Sequence, residues 1–426
     1  PNLIDDHIDL ANLGIERGVT APRILMERVS RQIKLQIHED PIDSPFYNIF
    51  SDMSDKINNK DEIQDKARHL IKEKIIPAYI DLDQYFTAVY LPSSRETFGL
   101  YDLPNGYEWY EHLANSHTTT ELTPDEIHEI GLNEVTRIKQ EMMKIIESLD
   151  WQGSFDDFLH FLRTDPQFYY ETKEELFQAY LATTKKIDPL TVKLFETLPR
   201  APYGIKAIPK ESAPDTTTAY YMSPSPDGSR AGYFYVNLYR PEVRPKYEIE
   251  VLSVHEAVPG HHLQIALAME LEGIPNFRKY SGYTAFVEGW GLYSESLGED
   301  MGLYRDPYSK FGALTYDMWR AVRLVVDTGM HYKGWSRQKA IDFFKDNAAK
   351  TEQDIINEID RYLIMPGQAL AYKIGQLKLL ELKKKAQKEL GESFNIKEFH
   401  NVILEQGALP LNIVEERFDT YLLDAK

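Results

Sequence analysis

The chain has no cysteine among its 426 residues. Disulfides, thiolate metal sites and a cysteine nucleophile are excluded together, so a metal would have to be held by His, Asp and Glu. Such a ligand set belongs to catalytic rather than structural zinc. Long hydrophobic runs are also missing: no eighteen consecutive residues are apolar, and nothing reads as a membrane span. Positive charge is scarce, with 48 Lys and Arg against 67 Asp and Glu and a net charge of −19. Without a basic footprint for phosphate, nucleic acid is a poor candidate partner. The acidity suits solubility and would favour cationic or N-terminally charged peptides. The sequence begins at Pro1 with neither Met nor a signal-like apolar stretch. It therefore reads as a processed or truncated piece of a longer product. Exported (periplasmic or lipoprotein) and cytoplasmic locations both stay open.

Hydrophobic residues make up 42% of the chain, enough for a soluble protein with a large core. The length suggests two or three domains or one large helical body. Apolar residues recur at helical spacing in 22–39 and again in 61–90, where Pro77 should kink the helix. Thr123-Pro124-Asp125-Glu126 carries an N-cap, a proline at the first helical position and a capping-box glutamate, which predicts a helix to about Ser148. Further helices are expected over 174–185 and 188–198. From 201 to 245 the texture changes, with seven prolines and the run Ala231 to Tyr239, rich in aromatic residues. One or two strands are expected there. Helical patterning returns at Tyr247 and holds nearly to the end. The predicted fold is mainly α: a large helical body with a small β element just before the helical stretch that begins at Tyr247. The predicted divisions are 1–200, 201–245 and 246–426.

Two segments carry chemistry. The first is Val254-His255-Glu256-Ala257-Val258-Pro259-Gly260-His261-His262, and the second, Val287-Glu288-Gly289-Trp290-Gly291-Leu292-Tyr293-Ser294-Glu295, follows about thirty residues later. A hydrolytic zinc needs three protein ligands, an open position, and a carboxylate close enough to take a proton from water. His255 and His261 with Glu288 supply the ligands, and Glu256 supplies the base. The spacing is unusual. In an HExxH helix the second histidine stands at +4, whereas here histidines stand at +6 and +7. On a regular helix +6 points roughly 120° away and +7 lies about 10 Å along the axis. The helix must therefore break, and Pro259-Gly260 is the place for it. His261 is the preferred ligand and His262 the alternative. Glu295 is expected either as a carboxylate partner of a histidine or as a competitor for the ligand role. The competing reading is a kinked helix that merely contains a histidine pair.

These residues resemble the bacterial family catalogued as domain of unknown function 885, whose members share an HE-xx-PGH core. The similarity continues through Glu288-Gly-Trp-Gly291, Arg323 to His331, Arg361-Tyr362, Pro366-Gly-Gln-Ala369 and Tyr372-Lys373 to Gly375. It covers nearly the whole chain. The resemblance implies a fold similar to that of the Taq-type zinc carboxypeptidases and, more distantly, to oligopeptidases of the thimet and angiotensin-converting type. Those are zincin-like helical bodies split by a groove with Zn(2+) at its floor.

Attack on a peptide carbonyl also needs a donor for the developing oxyanion. Tyr372 is the first candidate and His331 the second. Arg361, Arg323 and Lys373 are candidates for holding a substrate carboxylate. The strand around Tyr233 to Asn237, with Tyr235 and Asn237, is a candidate for pairing edge-on with an extended peptide. The expected activity is a zinc-dependent peptidase, possibly a carboxypeptidase, acting on short peptides through water activated by Glu256. A metal-dependent hydrolase of another amide or ester, and a non-catalytic peptide-binding groove, are the alternatives.

Overall fold

The structure is a computed structural model that describes residues 1–210 and 212–425. The chain forms two units, Pro1–Gly106 and Tyr107–Lys426. The limits expected at 200 and 245 both lie inside the second unit and bracket its sheet.

The first unit is helical. The expected segment 22–39 divides into two short helices, Arg23–Met26 and Val29–Lys34. The long segment beginning at Lys60 is continuous, and the disturbance expected at Pro77 takes the form of a π-helical turn over Ile71–Ile75. Proline has no N–H to bond four residues back, and a widened turn just before it redistributes the carbonyls left over. Ile71 and Ile76 are buried with Tyr47 and Ala67. The loop that follows is gathered by Arg95, whose guanidinium donates to the carbonyls of Thr20, Phe98 and Gly99.

The second unit holds both motifs. Helix α1 (Pro124–Ser148) starts with the expected capping box, Thr123 and Glu126 satisfying each other's backbone N–H. Helix α2 (Lys173–Ile187) opens with a second box, Thr172 with Glu175. The helix expected over 188–198 is instead a short 3₁₀ segment, Asp188–Lys193. The Thr191 hydroxyl donates to the Asp188 carbonyl there, competing with the α-helical bond that carbonyl would otherwise accept.

Three strands follow rather than one or two: β1 (Tyr203–Ala207), β2 (Ala219–Met222) and β3 (Gly232–Val236). Their order is β1-β3-β2, with β1 parallel and β2 antiparallel to β3. The strand carrying Tyr235 is therefore central, and β2 is an edge.

Helices α3 (Ile249–Glu256), α4 (His261–Glu270), α5 (Thr284–Ser296), α6 (Pro307–His331), α7 (Glu352–Ile364) and α8 (Leu370–Leu390) carry the residues of both motifs and their surroundings. Helix α6 is buried on every side from Met318 to His331, as a helix at the centre of a bundle must be. It lies against α1 at Gly131, where an added Cβ would sit 2.8 Å from Leu324 and Val325 side chains. Helices α5 and α8 approach through Gly289 and Gly375: a Cβ on Gly289 would stand 2.5 Å from the Gly375 Cα. A core of Phe286, Trp290, Tyr293, Leu379, Leu382, Phe399 and Phe418 fixes α5 on its neighbours. Each of these side chains contributes roughly 1.5–3 kcal/mol on burial. Among the described residues no helix is long and apolar enough to cross a membrane.

Candidate metal centre

Helix α3 ends at Glu256 and α4 begins at His261, so the two-residue excess over HExxH is taken up by an irregular turn. The turn is closed by its own backbone: Gly260 N–H bonds the Val254 carbonyl at 3.0 Å, and His262 N–H bonds the Ala257 carbonyl at 3.1 Å. Its Val258–Pro259 peptide is cis. Only glycine fits at 260, because a Cβ would lie 1.9 Å from the His255 carbonyl oxygen. Helix α5 holds the outside of the turn, since Trp290 Nε1 and Ser294 Oγ both donate to the Pro259 carbonyl. Trp290 thus orients the turn as well as packing in the core.

The turn brings His255 and His261 together, their rings 4.6 Å apart and nearly perpendicular. Glu288 Oε2 lies 3.7 Å from His255 Nε2 and 3.5 Å from His261 Nε2. All three ligand atoms fall within 4.8 Å of one another. A tetrahedral zinc with bonds near 2.0–2.1 Å sets its ligands about 3.4 Å apart, so these residues fit such an ion with small adjustments. Room for the rings comes from Gly291: a Cβ there would be 2.8 Å from His255 Cε1 and 3.1 Å from His261 Cε1.

Glu295, one of two roles left open by the sequence, is the partner of a histidine. His255 Nδ1–H donates to Glu295 Oε1 at 2.7 Å, which leaves Nε2 as the ligand atom. Burial alone would lower the His255 pKa, but the Glu288 and Glu295 carboxylates outweigh it and raise it to about 9. Burial likewise opposes ionisation of Glu288, yet the two imidazoles hold its pKa well below the usual carboxylate range. Glu256 is buried in the same cavity, and burial pushes its pKa up against the opposing pull of the two imidazoles.

His262 points elsewhere. Its Nδ1 accepts from the Tyr221 hydroxyl at 2.8 Å and its Nε2–H donates to the Ala201 carbonyl at 3.0 Å. With both nitrogens engaged and its pKa lowered by burial to about 4, it ties the sheet to α4 and is not a ligand here.

A cavity of about 450 Å³ opens onto the cluster. Tyr372, Arg323 and Arg361 line it. Burial raises the Tyr372 pKa, and the Glu288 charge adds to the rise. Arg323 lies over the Tyr372 ring at 4.2 Å. The sequence reading missed Arg320 and Glu358, which line the same cavity. Tyr316, Trp319, Arg320 and Arg323 recur at helical spacing on one face of α6, a pattern that was available. Arg320 stacks on Tyr316 and Trp319 and brings Nη2 to 3.6 Å from Glu295 Oε1. Glu358 is ionised more readily than usual: burial opposes this, but Arg323 and Arg361 bring its pKa down to about 2.

Besides His262 and Glu295, four predicted residues stand outside the cavity lining. His331 is fully buried, with its ring stacked on Tyr110 and Nε2 3.0 Å from the Tyr362 carbonyl. Lys373, one residue past Tyr372, turns the other way and pairs with Asp317 and Glu134. Tyr235 stacks on Tyr220 across the sheet. Asn237 is buried, its Nδ2 donating to the Ala213, Thr216 and Thr217 carbonyls, so it shapes a loop. The edge at the cavity is β2 instead. Asn237 N–H bonds the Thr218 carbonyl, which makes 218–237 a hydrogen-bonded pair in the register Ala219↔Val236 to Met222↔Tyr233. Antiparallel pairs alternate, so Tyr220 and Met222 face β3 while Ala219 and Tyr221 turn their backbone groups outward.

The chain matches the model of a family described as "Bacterial protein of unknown function (DUF885)" over residues 1–418. The chain belongs to this family. Among curated proteins none matches it. A solved structure of a candidate lipoprotein from Colwellia psychrerythraea is 31% identical, with a TM-score of 0.94 over 98% of this chain and 73% of that one. A candidate lipoprotein of unknown function from Shewanella oneidensis is 17% identical, with a TM-score of 0.66 over 87% of this chain and 68% of that one, and shares the fold.

Proposed function

We propose that this member of the DUF885 family is a zinc-dependent peptidase for short peptides. The observation that carries the reading is the convergence of His255, His261 and Glu288 at zinc-ligand spacing, with the buried carboxylate of Glu256 beside them in one cavity. A zinc ion held there would polarise an amide carbonyl and lower the pKa of water to about 7. Glu256 takes a proton from the attacking water as the new C–O bond forms and delivers it to the amine as the C–N bond breaks. Tyr372 donates its phenolic hydrogen to the oxyanion. The outward backbone groups of Ala219 and Tyr221 offer the peptide a strand to pair with, the role first looked for at Tyr235 and Asn237. A cavity of about 450 Å³ suits a few residues of peptide rather than a folded protein.

The relatives described as candidate lipoproteins favour an exported location for this chain. The test of the activity is hydrolysis of a mixed short-peptide library by protein supplied with zinc. Cleavage that disappears with a chelator and in Glu256→Gln, while that variant keeps its zinc, supports the reading. Unchanged peptides from zinc-loaded wild type would contradict it.

A further inference from the structure

The chain carries a net charge of −19, yet three guanidinium groups, those of Arg320, Arg323 and Arg361, line the cavity over the metal-ligand cluster. Arg320 is matched by Glu295. The other two share one carboxylate oxygen: Glu358 Oε2 lies 3.1 Å from Arg323 Nη2 and 3.0 Å from Arg361 Nη2, and it also accepts the Tyr362 hydroxyl at 2.6 Å. Two cations thus lean on a single anion. Arg323 is only 4% exposed, and its Nη1 is buried without a hydrogen-bond partner among the described residues. A buried guanidinium with an unmatched donor is costly unless an anion arrives to meet it. Tyr372 links this pair to the metal-ligand cluster, since Arg323 covers its ring and it lines the same cavity as Glu288.

We propose that Arg323 and Arg361 receive the free α-carboxylate of the substrate, which confines cleavage to bonds at the carboxyl end of a peptide. The proposal rests on the reading of His255, His261, Glu288 and Glu256 as a peptidase centre. A planar carboxylate can take Arg323 Nη1 and an Arg361 nitrogen together, the geometry guanidinium groups favour. The same chemistry could be offered by an acidic side chain, so the test separates the two.

Binding is measured by calorimetry on the zinc-loaded protein with N-acetyl tripeptides that differ in the last residue. Each is supplied as the free acid and as the amide, and a third arm is an amide ending in glutamate. The expected result is that free acids bind at least about tenfold more tightly than all amides, the glutamate amide included. In Arg361→Gln, whose partly exposed position lets it fold, that preference should shrink to about twofold. Equal binding of acids and amides, no binding of any acid, or tight binding of the glutamate amide alone would overturn the proposal. Hydrolysis is followed in the same samples. A preference for acids without cleavage would keep the carboxylate site and sink the peptidase, whereas equal cleavage of acids and amides would do the reverse.

Discussion

His255 donates Nδ1–H to Glu295 Oε1 across 2.7 Å, and Glu295 sits on the same helix as Glu288, seven residues on. One helix therefore supplies both a candidate ligand carboxylate and the group that aims a histidine beside it. Two turns of α-helix return the chain to nearly the same face, about 10 Å along the axis. The two carboxylates reach opposite nitrogens of the same imidazole.

Removing this support should loosen the metal without dismantling the fold. For Glu295→Ala we expect zinc affinity to fall about 10- to 100-fold, because His255 loses the acceptor that fixes its tautomer and ring orientation. Zinc competition with a chromophoric chelator measures it, and unchanged affinity would show that Glu295 is only a packing residue.

Gly291 makes a sharper case, because its contribution is the space it leaves. A Cβ at this position would press on His255 Cε1 at 2.8 Å and on His261 Cε1 at 3.1 Å. Gly291→Ala should lower zinc affinity while costing roughly 1–3 kcal/mol of stability through overpacking. Denaturation of the zinc-free protein gives the second number and a zinc titration the first. Full zinc affinity in this variant would mean that the rings sit differently from the arrangement described.

A pH effect on stability is expected from Asp327, away from the metal ligands. Asp327 Oδ1 accepts from the Tyr110 hydroxyl at 2.6 Å and from Gly367 N–H at 3.0 Å, while Oδ2 is buried without a partner. Burial raises its pKa to about 7 against the weaker opposing pull of those bonds. The folded pKa lies above the unfolded value near 3.9, so the folded state holds the proton more tightly. Its contribution is complete below pH 4 and is lost as pH rises through 7. Asp327→Asn should therefore stabilise the protein at pH 8 by up to a few kcal/mol and change it little at pH 4. Urea unfolding at the two pH values checks this, and an equal effect at both would refute it.

The sequence was most legible where local chemistry decides the outcome. The capping box at Thr123 and Glu126 and the helix to Ser148 are present as read, because a cap, a first-position proline and an apolar stripe all agree. The meeting of His255 and His261 was legible for a similar reason: Pro259 and Gly260 mark a place where the helix can break, and the break is there. What failed was direction. Lys373 and Tyr372 are neighbours in sequence, but successive helical residues point about 100° apart, and only Tyr372 reaches the cavity. His331 was named for its place downstream of the ligands and Asn237 for its place on a strand, and tertiary packing turned both to structural bonds. The sheet was misjudged because strand order is a non-local property. Tyr233 to Val236 is the most β-like run in the chain and so takes the centre, leaving the shorter Ala219–Met222 as the edge at the cavity.

The most direct measurement is the zinc content of purified wild type, His261→Ala and His262→Ala by elemental mass spectrometry. The arrangement described predicts about one zinc per chain in wild type and in His262→Ala, with zinc lost in His261→Ala. No zinc in wild type after zinc is supplied, or loss in His262→Ala with retention in His261→Ala, would contradict the metal centre.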